Sequence, residues 1–356
     1  MNKIRADKAR QILEKHGLDA MLFTAMSNIR YLTGFTGSDG ALIMTAEEAC
    51  FMSDSRYVTQ AREQITCDFI EYQQKISGIV DYLNREVGSG KVGVEGDTLT
   101  VGLFRDLQAR CSDKISLHPL EDSSHIRAIK DSDELAKIEK AAEISNTAFL
   151  SIIEKVQPGI KESEVALELE IACRRSGSED KAFDFIVASG IRGALPHGVA
   201  SGKIIDQGDL VTIDFGSCYQ GYFSDETVNL AVGPICSEMH KIHDIVLKAH
   251  DLAIKSIKPG KKLREIDKVA RDFIADKGYG GYFGHGLGHG VGLDVHEWPR
   301  VSPHSDGVAE PGMVFTVEPG IYIPGSGGAR VEDIVVVTDD GCRCLTGLPK
   351  ELRINS

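Results

Sequence analysis

Residues 210–231 read Leu210-Val-Thr-Ile-Asp-Phe-Gly-Ser-Cys-Tyr-Gln-Gly221-Tyr-Phe-Ser-Asp225-Glu-Thr-Val-Asn-Leu-Ala231, two strand-like runs on either side of Tyr219-Gln-Gly221. β-branched and aromatic residues broken by a Gly-containing triplet spell a hairpin. Asp214 and Asp225 are equidistant from the Tyr219–Gln220 bond. A two-residue turn centred there sets them directly opposite each other on one face, with Cβ atoms about 4.5–5.5 Å apart. Carboxylates that close repel, and at neutral pH they require a shared proton or a cation between them.

A second stretch repeats the device with glutamates. Met313-Val-Phe-Thr-Val-Glu318-Pro-Gly-Ile-Tyr-Ile323 and Ala329-Arg-Val-Glu332-Asp-Ile-Val-Val-Val-Thr338 flank a glycine-rich loop, and Glu318 and Glu332 are equidistant from Gly325. If the two hairpins face each other, four carboxylates form a cradle for divalent metal. The surrounding text repeats as well. An offset of 101 residues aligns Ile153 with Ile254, Pro158-Gly159 with Pro259-Gly260, Glu164 with Glu265 and Gly177 with Gly278. Each copy reads as helix, Pro-Gly break, helix, glycine stop, and then a β-rich stretch. The alternative is chance punctuation, against which the β-rich stretches repeat too. Two related α-plus-β halves around one central site are therefore expected.

Between the hairpins, Gly284-His-Gly-Leu-Gly-His-Gly-Val-Gly-Leu-Asp-Val-His-Glu-Trp-Pro-Arg300 places His285, His289 and His296 in text too glycine-rich for a helix. It lacks the spacing of a phosphate-binding loop. Imidazole among carboxylates favours manganese, cobalt or zinc over magnesium or calcium. His197, in Ala194-Leu-Pro-His-Gly198, adds a fourth histidine. A lone histidine is more often a satisfied core residue; four in such settings are not.

The first third is different in kind. An amphipathic opening to Gly17 is followed by apolar runs at Asp19–Thr24, Gly40–Thr45 and Ala49–Ser53, the pattern of a small α/β domain. Asp131-Ser-Asp-Glu134 is a helix start with acids in its first turn. The boundary is placed at residue 127, giving domains 1–127 and 128–356. A length of 356 residues suits two cores. A formal net charge of −13 repels polyanions, which excludes nucleic acid as a partner. No apolar run approaches a membrane span, and the N-terminus lacks a signal-peptide core, so the mature chain is expected to begin at Met1. Eight cysteines without a CxxC pair fit a reducing cytoplasm. Cys342 and Cys344 read as strand residues.

Ile213-Asp214-Phe-Gly216, Asp225, His289, His296-Glu297, Glu318-Pro-Gly-Ile-Tyr322 and Arg330-Val-Glu332-Asp333 together resemble the creatinase/prolidase/methionine aminopeptidase family of pita-bread metallopeptidases. The resemblance covers about residues 128–350. It implies an α+β fold: a pita-bread catalytic domain with a pseudo-twofold repeat, preceded by a smaller α/β creatinase-like domain. It also implies two divalent metal ions, manganese first with cobalt or zinc as alternatives, held by Asp214, Asp225, His289, Glu318 and Glu332. Glu318 would serve as general base, His296 and His197 as donors to the carbonyl oxygen, and His285 and Tyr322 as substrate-pocket residues. Arg330 would orient ligand carboxylates from behind, the alternative being a surface cation.

The N-terminal domain points to the proline-specific branch, hydrolysing the bond before proline in small peptides with proline second. Arg300 resembles a prolidase arginine that holds a dipeptide's carboxylate, the alternative being a solvated charge. Asp54-Ser-Arg-Tyr57 resembles instead a signature of aminopeptidase P relatives, which act on longer peptides. The Xaa-Pro dipeptidase reading is favoured, and a homodimer is expected from the resemblance. Relatives with creatinase activity, and non-catalytic pita-bread binding proteins, have usually lost metal ligands; all five are present here.

Overall fold

The computed structural model describes residues 3–355. They form two compact units, one ending at Arg127 and the other starting at Ala128. In the first, a six-stranded mixed sheet runs Asp68–Glu71, Ala49–Ser53, Ala41–Thr45, Ala20–Phe23, Gly90–Glu95, Ile115–Leu120. Ala20–Phe23 pairs antiparallel with one neighbour and parallel with the other, and all four of its residues are buried. Burial on both faces is why its sequence is an unbroken apolar run. The opening helix, Lys3–His16, buries Ala6, Ala9, Ile12 and Leu13, the three-and-four spacing of one helix face.

The second unit opens on the helix Ser132–Ile152. The Asp131 carboxylate accepts from the Glu134 N–H at 2.9 Å, and the Glu134 carboxylate accepts from the Asp131 N–H at 3.0 Å. That reciprocal cap is what Asp131-Ser-Asp-Glu encodes. The internal repeat is physical. The helices Glu162–Arg175 and Leu263–Asp276 each span 14 residues, in the register of the offset. The repeat-related glycines 159 and 260 have φ of 96° and 80°, and glycines 177 and 278 have 105° and 89°. A side chain would strain all four positions.

Each helix pair covers one face of an antiparallel-rich sheet. In the first half, Phe149, Val165 and Leu169 pack against Val211, Ile213, Phe215 and Val228. In the second, Ile242, Val246, Ile266 and Ala270 pack against Phe315, Val317, Val335 and Val337. Because side chains alternate along a strand, these apolar contacts turn Asp214, Thr227, Thr316 and Ile334 to the faces away from the helices. The repeat thus produces a helix-backed, acid-bearing surface twice.

The two hairpins differ in how far their pairing was legible. Val317 pairs with Asp333 and Gly320 with Arg330, so Glu318 and Glu332 lie opposite each other about Gly325, as the symmetry of the sequence predicts. In the first hairpin the expectation of directly opposed aspartates is corrected: Asp214 faces Thr227, and Tyr219 pairs with Tyr222. The turn is Gln220-Gly221, with φ of 48° and 76°, one residue later than expected. A two-residue hairpin turn of this kind needs positive φ at both central residues, and Gly221 supplies the second. Asp225 and Thr227 are two apart on one strand, so Asp225 remains on the face of Asp214, as a diagonal neighbour.

Gly216 interrupts this ladder where a Cβ would collide with the Ser224 carbonyl. Gly216→Ala is expected to cost about 1–3 kcal/mol, the range for overpacking. Gly202→Ala, where a Cβ meets nothing within 4 Å, should stay within about 0.5 kcal/mol of the parent. Thermal unfolding of the two variants checks the pair.

Candidate metal centre

The hairpins meet edge to edge at their acidic stations. Thr227 and Glu332 form an antiparallel bridge in which the Glu332 N–H donates to the Thr227 carbonyl at 3.3 Å. The Thr227 hydroxyl donates to Glu332 Oε2 at 2.6 Å, and Asn229 Nδ2 donates to the Arg330 carbonyl at 2.5 Å. This seam brings the diagonal aspartates of one hairpin and the opposed glutamates of the other into one cluster. Asp225, His289 and Glu332 each offer a ligand atom, all within 4.8 Å of one another. His289 Nε2 lies 3.7 Å from Asp225 Oδ2 and 3.4 Å from Glu318 Oε1. Asp214 is brought to the same face, with Oδ2 accepting from Arg330 Nη2 at 2.6 Å and Oδ1 buried without a hydrogen-bond partner.

The electrostatics are those of a cation site. Burial above all, then repulsion from Glu332, Asp214 and Glu318, holds the Asp225 carboxyl well above the usual carboxylate range. Burial, followed by Glu318 and Asp214, does the same to Glu332. Glu318 is pushed up to about 8, mainly by burial and with Asp214 adding to it, against the pull of Arg330. His289 goes the other way: burial and the neighbouring His296 depress it to about 3, so its ring is neutral. Its Nδ1 faces the Gly290 carbonyl at 3.2 Å as donor, which leaves the Nε2 lone pair pointing at the acids. Converging carboxylates, a lone-pair nitrogen and an unpartnered buried Oδ1 fit divalent cations with oxygen and imidazole preference.

Around this cluster runs a hydrogen-bonded chain. Arg330, which holds Asp214, also donates through Nη1 to the Tyr322 hydroxyl at 3.0 Å and to the Pro196 carbonyl at 3.0 Å. The Tyr322 oxygen is 3.0 Å from His285 Nε2, and His285 Nδ1 is 2.8 Å from the Gly286 carbonyl. Only one assignment satisfies all four atoms: Nδ1–H donates to Gly286, and the Tyr322 hydroxyl donates to Nε2. Burial depresses His285 to about 4, which keeps that ring neutral. Tyr322 and His285 are thus engaged with each other and with Arg330, and Arg330 is a buried link instead of a surface cation.

The remaining predicted residues lie at the open side. The His289 and His296 rings are 4.0 Å apart. Burial first, then His197 and Arg300, against the pull of Asp214, hold the His296 imidazole below its ordinary range. Arg300 is exposed and pairs across strands with His289, so both project to one face. Asp54 and Arg56, in the first unit, form a bidentate pair with each other, Nε donating to Oδ1 and Nη2 to Oδ2. Two supports escaped the reading of the sequence. Thr227 binds Glu332, and the Thr316 hydroxyl donates to Glu318 Oε1 at 3.2 Å while accepting from the His289 N–H at 3.1 Å. Each threonine is two residues from a predicted ligand on the same strand face, a signal available from alternation alone.

Comparison with known proteins agrees with this geometry. The model of metallopeptidase family M24 matches residues 136–339, and that of the creatinase/prolidase N-terminal domain matches residues 5–129. The chain is 40% identical over 353 residues to an Xaa-Pro dipeptidase of Pyrococcus horikoshii, covering 98% of this chain and 99% of that protein. It is similar to the structure of an Xaa-Pro dipeptidase from Bacillus anthracis, with a TM-score of 0.93, 41% identity and coverage of 98% and 99% of the two chains. The structure of an X-Pro aminopeptidase from Thermotoga maritima has a TM-score of 0.89 at 37% identity, and the same coverage.

Without metal, a carboxyl whose folded pKa is raised favours the folded state at low pH, and that advantage is lost as pH rises through the folded value. Glu318, shifted from 4.5 to about 8, sets the window. The apo protein should therefore lose thermal stability between about pH 5 and 8, and saturating manganese should remove that slope. Asp225→Asn relieves the repulsion and should raise the apo midpoint while abolishing the gain from manganese. Melting curves of both proteins with and without metal check the crossing.

Proposed function

The chain belongs to metallopeptidase family M24, and from that premise we propose that it is an Xaa-Pro dipeptidase that hydrolyses the peptide bond before proline. The observation that carries the reading is the convergence of Asp225, Glu318 and Glu332 on the free Nε2 of His289. Asp214, Asp225, His289, Glu318 and Glu332 would hold two divalent cations, manganese foremost. Bound there, such cations supply Lewis acidity toward the scissile carbonyl and allow water to act as a nucleophile near neutrality.

The side chains supply the rest. Glu318, steadied by Thr316, takes the proton from the attacking water and returns it to the departing proline nitrogen. His296 and His197 donate hydrogen bonds to the carbonyl oxygen as negative charge develops on it. Arg300, exposed on the face that carries His289, clamps the carboxylate of a dipeptide through two parallel N–H donors. Arg330 holds Asp214 in place and, through Tyr322, fixes the tautomer of His285 at the pocket wall.

A second reading, Xaa-Pro aminopeptidase, is favoured by the likeness to the Thermotoga structure and differs only in whether the substrate continues beyond proline. Manganese-loaded protein should release the first residue from Xaa-Pro faster than from Xaa-Pro-Yaa, and leave Xaa-Ala intact. The reverse order makes the aminopeptidase reading correct, and no cleavage of any substrate overturns both. Arg300→Ala should raise KM for the dipeptide more than for the tripeptide; equal effects would return Arg300 to a solvent role. His296→Ala should keep its metal while kcat falls about 10²–10³-fold, the cost of removing one oxyanion donor. Elemental analysis beside steady-state kinetics distinguishes these losses.

A further inference from the structure

The loop bearing His197 leaves the strand Ile186–Ser189 and carries exposed apolar residues, Ile191 at 63%, Leu195 at 50% and Val199 at 48%. A segment that buries so little of its own surface has to be fixed by other means. Backbone pairing of Val199 with Ile186 and of the Ala200 N–H with the Phe185 carbonyl at 3.3 Å holds its return, and one carboxylate ties both ends together. Glu162, at the first turn of Glu162–Arg175, has 0% exposure. Oε1 accepts from the Ser189 N–H at 2.9 Å and the Ser189 hydroxyl at 2.8 Å. Oε2 accepts from the Ser201 N–H at 3.2 Å and the Ser201 hydroxyl at 2.7 Å, and pairs with Arg192 Nη1. One buried side chain therefore clasps the loop at both ends, and Arg192 extends the clasp by donating from Nη2 to the Val199 carbonyl at 2.9 Å.

We propose that Glu162 is a positioning residue for His197, setting where its imidazole meets the substrate; the inference rests on the proposed role of His197 as a donor to the carbonyl oxygen. The far side of the loop is tied to the metal cluster, since Arg330, which holds Asp214, also grips the Pro196 carbonyl. With both ends tied to Glu162 and the Pro196 carbonyl to Arg330, the backbone that carries His197 is held on either side of it. The second half of the unit uses the same device. Asp267, buried in the helix Leu263–Asp276, pairs with Arg271 and accepts from the Leu287 N–H at 3.0 Å, while Arg271 grips the His285 carbonyl at 2.7 Å. In each repeat an acid on the second helix, paired with an arginine of the loop in the first half and of the helix in the second, holds the segment that presents a pocket histidine.

The test is a double-mutant cycle on the manganese-loaded enzyme with an Xaa-Pro dipeptide: parent, Glu162→Gln, His197→Ala and the double variant. Glu162→Gln should lower kcat about tenfold to a hundredfold, as expected for a displaced catalytic group, with manganese content unchanged. In the His197→Ala background the same change should cost nothing further. Equal losses in both backgrounds overturn the inference and leave Glu162 a general structural residue. An unimpaired His197→Ala overturns the role of His197, and the catalytic consequence claimed for Glu162 falls with it, while cleavage by that variant keeps the dipeptidase reading intact. Should Glu162→Gln not fold, Arg192→Met, which removes the partly exposed half of the clasp, takes its place in the cycle. A loss confined to the His197 background then supports the inference, and equal losses in both backgrounds overturn it.

Discussion

Repulsion among carboxylates that the fold has taken out of water is the constraint on which the rest of the second unit depends. Each costs folding free energy by losing its hydration, and their proximity adds to that cost. Arg330 offsets part of it through its contact with Asp214 at 2.6 Å. The remainder is left as an affinity for cations: a site that would be unfavourable on its own becomes favourable when metal enters. A protein with no use for metal would be more stable with amides at these positions.

The repeat is how a chain builds such a place. Two helix pairs each cover one face of a sheet, and alternation leaves the other face for polar residues. The seam between Thr227 and Glu332 then brings two acid-bearing hairpins together. The arrangement also extends behind the cluster. Glu226 and Asp333, the residues after Asp225 and Glu332, point to the opposite faces, and Lys350 pairs with both. Adjacent acids in one strand thus serve two separate purposes, one paired with a lysine and one turned to the site.

How much could be read from the sequence depends on the range of the interactions involved. The repeat, the helix start at Asp131 and the strands of the first unit rest on local rules, and each is found where those rules put it. The Glu318–Glu332 pairing was legible because Gly325 marks the centre of its loop. The turn between Asp214 and Asp225 lies one residue later than the Tyr219–Gln220 centre because it depends on Gly221, and that displaces the partner of Asp214 by two residues, to Thr227. The chain from His285 through Tyr322 and Arg330 to Asp214 was not legible in its connections. Arg330 and Asp214 are 116 residues apart, and no periodicity links them. Nor could the sequence say that Glu162 holds both ends of a loop, since its partners Ser189 and Ser201 are ordinary loop and strand-end residues until the fold gathers them.

Together the buried acids and His289 make one proposed metal centre. The most direct measurement is the stoichiometry and affinity of manganese binding to the metal-stripped protein, by titration with elemental analysis of the gel-filtered product. About two ions should be retained per chain. Retention of none, with the protein folded, would contradict such a centre.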